Sequence, residues 1–157
     1  MPDTGIAIED FRRAKDAVFR LLKVRLRSEQ EIQERLRRKQ FSQEIIEKII
    51  QYFKEITLID DLQFTQKWIS SRLLKPFGIN RIRYELKTKG IQDEIIQQEL
   101  RKITDDYPEE EIVLNLARKQ VSKHKNVEPN KLKHRIYGYL ARKGFRSEII
   151  LKALKKL

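Results

Sequence analysis

The side chains that could do chemistry in this chain fall into three sets. Acidic residues come in runs, Asp60-Asp61, Asp105-Asp106 and Glu109-Glu110-Glu111, and clustered carboxylate oxygens are what a hard divalent cation needs. The runs also stand at equivalent starts of successive repeats, where carboxylates accept the free N–H groups of a helix N-terminus, so capping accounts for them without a metal. His124 and His134 have no cysteine partner and no second histidine four residues on, which points to solvated or packing roles. The sequence holds no G-x-x-x-x-G-K-[ST], no G-x-G-x-x-G and no G-x-S-x-G, and nothing assembles a nucleophile, a base and an oxyanion hole. No catalytic residue, metal or cofactor is expected. The third set is basic: Arg35, Arg37, Arg38 and Lys39, then Lys131, Lys133, Arg135, Arg142, Lys143 and Arg146. These residues could track phosphates, each neutralised phosphate steepening the salt dependence of binding. No base-reading group stands out, so the expected binding is electrostatic and largely sequence-independent.

The elements that must position these side chains are written three times. Ile136-x-x-x-Leu140-x-x-Lys143-Gly144-Phe145-x-x-Glu148-Ile149-Ile150 repeats as Ile82 to Ile96, with Leu86, Lys89, Gly90 and Ile91, and as Ile32 to Ile46, with Leu36, Lys39, Gln40 and Phe41. Ile and Leu four apart share one face of a helix. The Lys suits the negative end of the helix dipole, and the Gly suits a positive-φ helix ending in which Leu86 meets Ile91 and Leu140 meets Phe145. Gln40 takes the Gly position in the first copy at a cost of up to ~1 kcal/mol, which leaves the geometry of that turn open. Each copy thus predicts a helix, a tight turn and a helix.

Composition agrees with helices carrying narrow apolar stripes: 37% charged and 39% hydrophobic residues, with 5 Gly and 4 Pro among 157 residues. No apolar run approaches the ~18–20 residues that span a bilayer, and the first residues lack the features of a signal peptide. The absence of Cys excludes disulfides and is compatible with a cytoplasmic location. The net charge of +12 is uneven. Residues 9–54 hold 13 Lys/Arg against 8 Asp/Glu, residues 55–111 hold 9 against 12, and residues 112–157 hold 13 against 2. A last third at +11 asks for an anionic partner, and nucleic acid fits best.

In chain order, residues 1–8 read as a loose lead-in, with repeats over 9–54, 55–104 and 105–157. The first repeat is a helix from Asp10 to about Lys23 with Ala14, Val18, Leu21 and Leu22 inward, a helix started by the capping box Ser28-Glu-Gln-Glu31, and a third capped by Ser42. Subtracting the period of 50 places Phe64 over Ala14, Trp68 over Val18 and Arg72 over Leu22, so Trp68, the only Trp, is expected in the core. The longer spacing of the last repeat is expected to be absorbed in the polar break Ser122–Asn126. Tyr84, Tyr137 and Tyr139 could pack or stack.

Leu58-Ile59-Asp60-Asp61-x-x-Phe64-x-x-x-Trp68-x-x-x-Arg72, followed by Gly78-Ile79-x-Arg81-Ile82-x-x-Glu85-Leu86-x-x-Lys89-Gly90-Ile91, closely resembles the RecX family. The likeness is strongest over 58–100, returns at 135–150, and more weakly covers 12–157. Gln40, and Thr65 where Ala is common, depart from the pattern locally. The resemblance implies an all-α fold of three tandem three-helix repeats, helix-turn-helix-like, in an elongated and curved array. It implies a bacterial regulator of DNA repair with no enzymatic activity or cofactor of its own. The implied partner is the RecA recombinase filament, whose growth, ATP hydrolysis, strand exchange and coprotease function it restrains. Single- and double-stranded DNA are the other expected partners, with no membrane partner and a monomeric protein. Asp60, Asp61, Arg72 and Arg81 are candidate partner contacts. Trp68, Gly78, Leu86, Gly90, Leu140, Gly144 and Phe145 are assigned to structure. A repeat-built nucleic-acid binder without a recombinase partner is the alternative, and a metal-dependent nuclease acting through the acidic runs is disfavoured.

Overall fold

The computed structural model describes residues 4–157, and among the described residues there are nine helices and no strand. They are α1 (Thr4–Val24), α2 (Glu29–Arg38), α3 (Gln43–Glu55), α4 (Asp61–Leu73), α5 (Ile79–Thr88), α6 (Asp93–Thr104), α7 (Glu109–Lys123), α8 (Pro129–Arg142) and α9 (Ser147–Leu154). They gather into two compact units. The first runs to Gln66 and includes Thr88–Gln92; the second is Lys67–Lys87 with Asp93–Leu157.

In the first unit α1 and α2 both pack on α3. The core is Ala14 and Val18 from α1, Ile32 and Leu36 from α2, Ile45, Ile46, Ile49, Ile50 and Phe53 from α3, and Ile59. Spacings of three and four residues put each set on one stripe of its helix, and each large side chain removed from water contributes roughly 1.5–3 kcal/mol. Leu21 and Leu22 lie partly buried at the margin, and Phe19 meets Phe53 edge-on at 4.9 Å. The caps match the residue types that announce them. Ser28 Oγ accepts from the Glu31 N–H while the Glu31 carboxylate accepts from the Ser28 N–H, and Ser42 accepts from the Ile45 N–H.

The expected lead-in is corrected at its inner end: α1 already runs at Thr4, six residues before Asp10, while residues 1–3 lie outside the described part. Once packing against α3 fixes the later turns, each added residue gains a hydrogen bond at little cost. Ala7, Ile8 and Glu9 offer no break, and Glu9–Arg12 and Asp10–Arg13 pairs line this turn.

In the second unit α7, α8 and α9 pack on one another around Val113, Ala117, Ile136, Leu140, Phe145, Ile149, Ile150, Ala153 and Leu154. Ile82, Leu86, Ile96 and Leu100 are buried as well. The tight turn after α8 closes with the Phe145 N–H on the Leu140 carbonyl and the Gly144 N–H on that of Ala141. The turn after α2 uses the same two bonds, Phe41 to Leu36 and Gln40 to Arg37, with Gln40 at φ 63°. The geometry left open at Gln40 is therefore the same left-handed ending, held by a non-glycine residue.

Two further expectations change. Five residues separate α4 from α5 and α7 from α8 alike, while α8 has 14 residues against 10 in α2 and α5. The longer spacing of the last repeat is thus largely one extra turn of α8 rather than a longer break at Ser122–Asn126. Trp68 is half-buried, while Phe64, Thr65 and Ile69 are the buried residues of α4. Each step of four residues advances about 40° around a helix, so a Phe64–Trp68–Arg72 line drifts off the core face. Thr65, the departure from the family pattern, is satisfied: its hydroxyl donates to the Asp61 carbonyl at 2.7 Å.

Candidate nucleic-acid interface and the joints that frame it

Many of the charged residues singled out in the sequence are consumed by two equivalent joints, one in each unit. In the first unit, the Lys89-Gly90 turn lies on the start of α2. Ser28 Oγ donates to the Lys89 carbonyl at 2.7 Å, and the Asp61 carboxylate accepts from the Glu29 N–H at 2.9 Å. In the second unit, the Lys143-Gly144 turn lies on the start of α5. The Gly78 N–H donates to the Lys143 carbonyl at 2.9 Å and the Asn80 N–H to the Gly144 carbonyl at 3.1 Å. There Glu109 takes the place of Asp61, accepting from the Ile79 N–H at 3.3 Å. In both joints a helix N-terminus, with its unsatisfied donors, is closed by a carbonyl and a carboxylate from the following repeat. Three residues of the acidic runs, Asp60, Asp61 and Glu109, therefore cap helix starts, whereas α7, at the last run, has no side-chain cap of its own. Asp60 caps α4 through the Gln63 N–H at 3.0 Å, whereas Asp61 serves α2. Among the described residues no three acidic or histidine side chains form a metal-binding group.

Glu31 ties the first joint electrostatically. Its carboxylate meets Lys89 Nζ at 2.7 Å and Arg25 at 2.8 Å. Burial by itself would raise its pKa, but the hydrogen bonds from Arg25, Lys89 and the Ser28 N–H outweigh it and hold the carboxyl at about 2. Its pKa when folded lies below the ordinary 4.5, so its contribution is complete above that value and is lost as the pH falls towards about 2. Glu31→Gln is expected to cost roughly 1–2 kcal/mol at neutral pH, allowing for partial solvent screening. Urea unfolding at stepped pH should show wild type and variant converging through that window. A gap that stays constant down to the lower limit would mean that shape and not charge sets Glu31's contribution. Asp61 shifts the other way: burial raises its pKa, the Glu29 N–H bond opposes this, and the nearby Glu29 carboxylate adds to the rise.

A second cluster absorbs Trp68, Arg72 and Arg81. Glu85 on α5 accepts from the Trp68 indole N–H at 3.0 Å, from Arg72 at 2.6 Å and from Arg81 at 3.0 Å. Burial alone would raise its pKa; these three hydrogen bonds reverse the sign and lower it. The Arg72 guanidinium also lies 4.5 Å from the Trp68 ring centroid, and that of Arg81 lies 4.0 Å from the Phe77 ring. Nothing in the residue pattern marks Glu85 as the hub. Spacing along one helix predicts Arg81 four residues before it, but not the arrival of α4.

The basic candidates then separate. Lys143 is half-buried between the rings of Phe77 and Tyr139, at 5.4 and 5.3 Å, and Arg146 pairs with buried Glu109 at 3.0 Å. Both serve the second joint. Lys131, Lys133, Arg135 and Arg142 are exposed on α8 and form no ion pair among the described residues. Lys131 lies in the first turn of this longer helix, where Glu128 caps the chain at the Asn130 and Lys131 N–H groups. In the first unit Arg35, Arg38 and Lys39 are exposed without an ion pair among the described residues, and Arg37 touches Gln33 at 3.5 Å. Unpaired, solvated cations on helix surfaces are available to neutralise phosphates, whereas Lys143 and Arg146 already have partners within the joint.

Three placements are not legible in the sequence: Glu85, the reach of Glu109 to another helix, and Arg27. The first two depend on elements meeting in space. Arg27 immediately precedes a capping Ser, and nothing in its neighbours signals its surroundings.

Comparison with known proteins was consistent along the chain. Family models described as the first, second and third three-helix domains of RecX match residues 14–53, 60–100 and 108–154. A protein named Regulatory protein RecX from Prosthecochloris aestuarii is 35% identical over 149 residues, covering 94% of this chain and 95% of its own length. Its counterpart in Chlorobium phaeobacteroides is 35% identical over 153 residues, covering 97% and 98%. A crystal structure of RecX from Lactobacillus salivarius superposes with a TM-score of 0.81 over 96% of this chain and 97% of the other, at 24% identity.

Proposed function

Because this chain belongs to the RecX family of regulatory proteins, we propose that it is a non-enzymatic regulator of DNA repair. It binds the RecA–DNA filament and restrains filament growth, ATP hydrolysis, strand exchange and coprotease function. The observation that carries the nucleic-acid part is the unpaired basic surface: Lys131, Lys133, Arg135 and Arg142 on α8, and Arg35, Arg37, Arg38 and Lys39 at the first turn. Charge without a base-reading pattern favours contact with phosphates, the feature a nucleoprotein filament presents along its whole length. Among the described residues, no helix is long and apolar enough to cross a membrane.

The test is single-stranded-DNA-stimulated ATP hydrolysis by the cognate RecA, titrated with this protein at several salt concentrations. DNA is held in excess so that simple competition for it is excluded. Inhibition is expected well below one copy per RecA. Undiminished hydrolysis, with DNA binding intact, would instead identify a general nucleic-acid binder with no recombinase partner.

A further inference from the structure

We propose that Arg27, Arg35 and Arg38 form a phosphate-holding pocket in the first unit that grips one backbone phosphate of bound nucleic acid. This rests on the nucleic-acid part of the reading above and adds a residue and a geometry to it. The pocket encloses about 430 Å³ beside the start of α2. Arg35 and Arg38 are three residues apart on α2 and so share one face of it. Arg27 approaches from the residue just before the cap. The Nε of Arg27 is buried and has no hydrogen-bond partner.

A buried guanidinium N–H without an acceptor is costly in a folded protein, and no other side chain among the described residues leaves such a group unpaired. Burial and the neighbouring Arg25 cation lower the pKa of Arg27; the Glu31 carboxylate opposes this only in part, and Arg35 adds to the lowering. Neither acidic group on the pocket wall forms a hydrogen bond or an ion pair with Arg27 among the described residues. Glu31 is committed to Arg25 and Lys89, and Glu34 accepts from Gln30 at 2.9 Å. The group that fits this geometry is an oxyanion. The planar fork of Arg matches phosphate oxygens in a way that a Lys ammonium does not.

Four variants in the full chain test this by fluorescence anisotropy with a labelled single-stranded oligonucleotide across a salt series. They are Arg27→Ala, Arg27→Lys, the double variant Arg35→Ala/Arg38→Ala, and Lys48→Ala as a charge-matched control on the exposed face of α3. Arg27→Ala is expected to weaken binding about tenfold and to flatten the salt slope by roughly one unit, with the control near wild type. Arg27→Lys should weaken binding nearly as much as Arg27→Ala while keeping more of the salt slope, because the fork is lost although the charge remains. Arg27→Ala should also melt no lower than wild type, since it removes an unsatisfied buried group.

Wild-type-like binding by Arg27→Lys would reduce the site to general electrostatics and overturn the proposal. A large drop in melting temperature for Arg27→Ala would do the same, by making Arg27 a structural residue. Inorganic phosphate provides the remaining arm. If it raises the melting temperature of wild type but not of Arg27→Ala, while oligonucleotide binding ignores the substitution, the site serves a free phosphate and the assignment to a backbone phosphate fails. If the oligonucleotide binds normally and neither it nor phosphate senses Arg27, the pocket fails while the nucleic-acid reading stands. If wild type binds no oligonucleotide, both fall.

Discussion

Gly78→Ala is expected to lower the melting temperature by about 10 °C or more, the largest effect of any single methyl group added to this protein. A Cβ at Gly78 would lie 2.1 Å from both the carbonyl carbon and the carbonyl oxygen of Gly144, and 2.3 Å from the Phe145 nitrogen. These are backbone atoms in a turn fixed on both sides, so no side chain can swing away to relieve the contact. Opening the joint would also strain the Gly78 N–H to Lys143 and Asn80 N–H to Gly144 hydrogen bonds. A loss of about 3 kcal/mol or more follows, and for a chain of this size each kcal/mol shifts the midpoint by roughly 2–4 °C.

Gly144→Ala should be nearly as severe. Its Cβ would meet the Arg81 backbone nitrogen at 2.4 Å, and its φ of +87° is unfavourable for any L side chain. The turn after α2 supplies the control. Gln40 holds φ 63° with an exposed side chain, so Gln40→Gly exchanges strain against chain entropy and should change stability by no more than about 0.5 kcal/mol. Thermal unfolding followed by circular dichroism, with Trp68 fluorescence reporting on the second unit, measures all three. A mild Gly78→Ala would show that the joint can slide, and the close approach would lose its assigned role.

Reversing Lys131, Lys133, Arg135 and Arg142 together to Glu is expected to weaken DNA binding on the order of a hundredfold near 0.1 M salt. It should also flatten the slope of log affinity against log salt by up to about 3.6, roughly 0.9 for each phosphate no longer neutralised. The four side chains are exposed and unpaired among the described residues, so folding should survive. Circular dichroism would verify this before binding is measured. Changing Lys143 and Arg146 in the same way should instead cost stability, because they contact Phe77, Tyr139 and Glu109 within the second joint. Unchanged affinity and slope in the fourfold variant would remove α8 from the interface. The contrast between the two sets also tests the division of the basic residues into surface and joint.

Much of the fold was legible because its determinants are local. The Ile-x-x-x-Leu spacing, the Lys before the turn, Ser28 and Ser42 as caps, and Gly90 and Gly144 at helix ends are each decided within a few residues, by helix period, dipole and φ. Three repetitions multiplied that signal. The line through Phe64, Trp68 and Arg72 misled because a period of four is not the helix period, and the accumulated drift carried Trp68 to the core margin.

The site was less legible. Sequence alone determined that the protein carries excess positive charge, that its basic residues cluster at the first and third turns, and that acidic groups begin successive repeats. The tertiary structure decided which of those charges are spent. Arg72 and Arg146 find carboxylates on other helices, Lys143 and Arg81 find the Phe77 ring of a loop, the Arg27 Nε finds burial without an acceptor, and Lys131, Lys133, Arg135 and Arg142 remain open to solvent. A side chain's charge is a property of its residue type; whether that charge is neutralised depends on neighbours within a few ångströms, and residues thirty or more apart in the chain supply many of them.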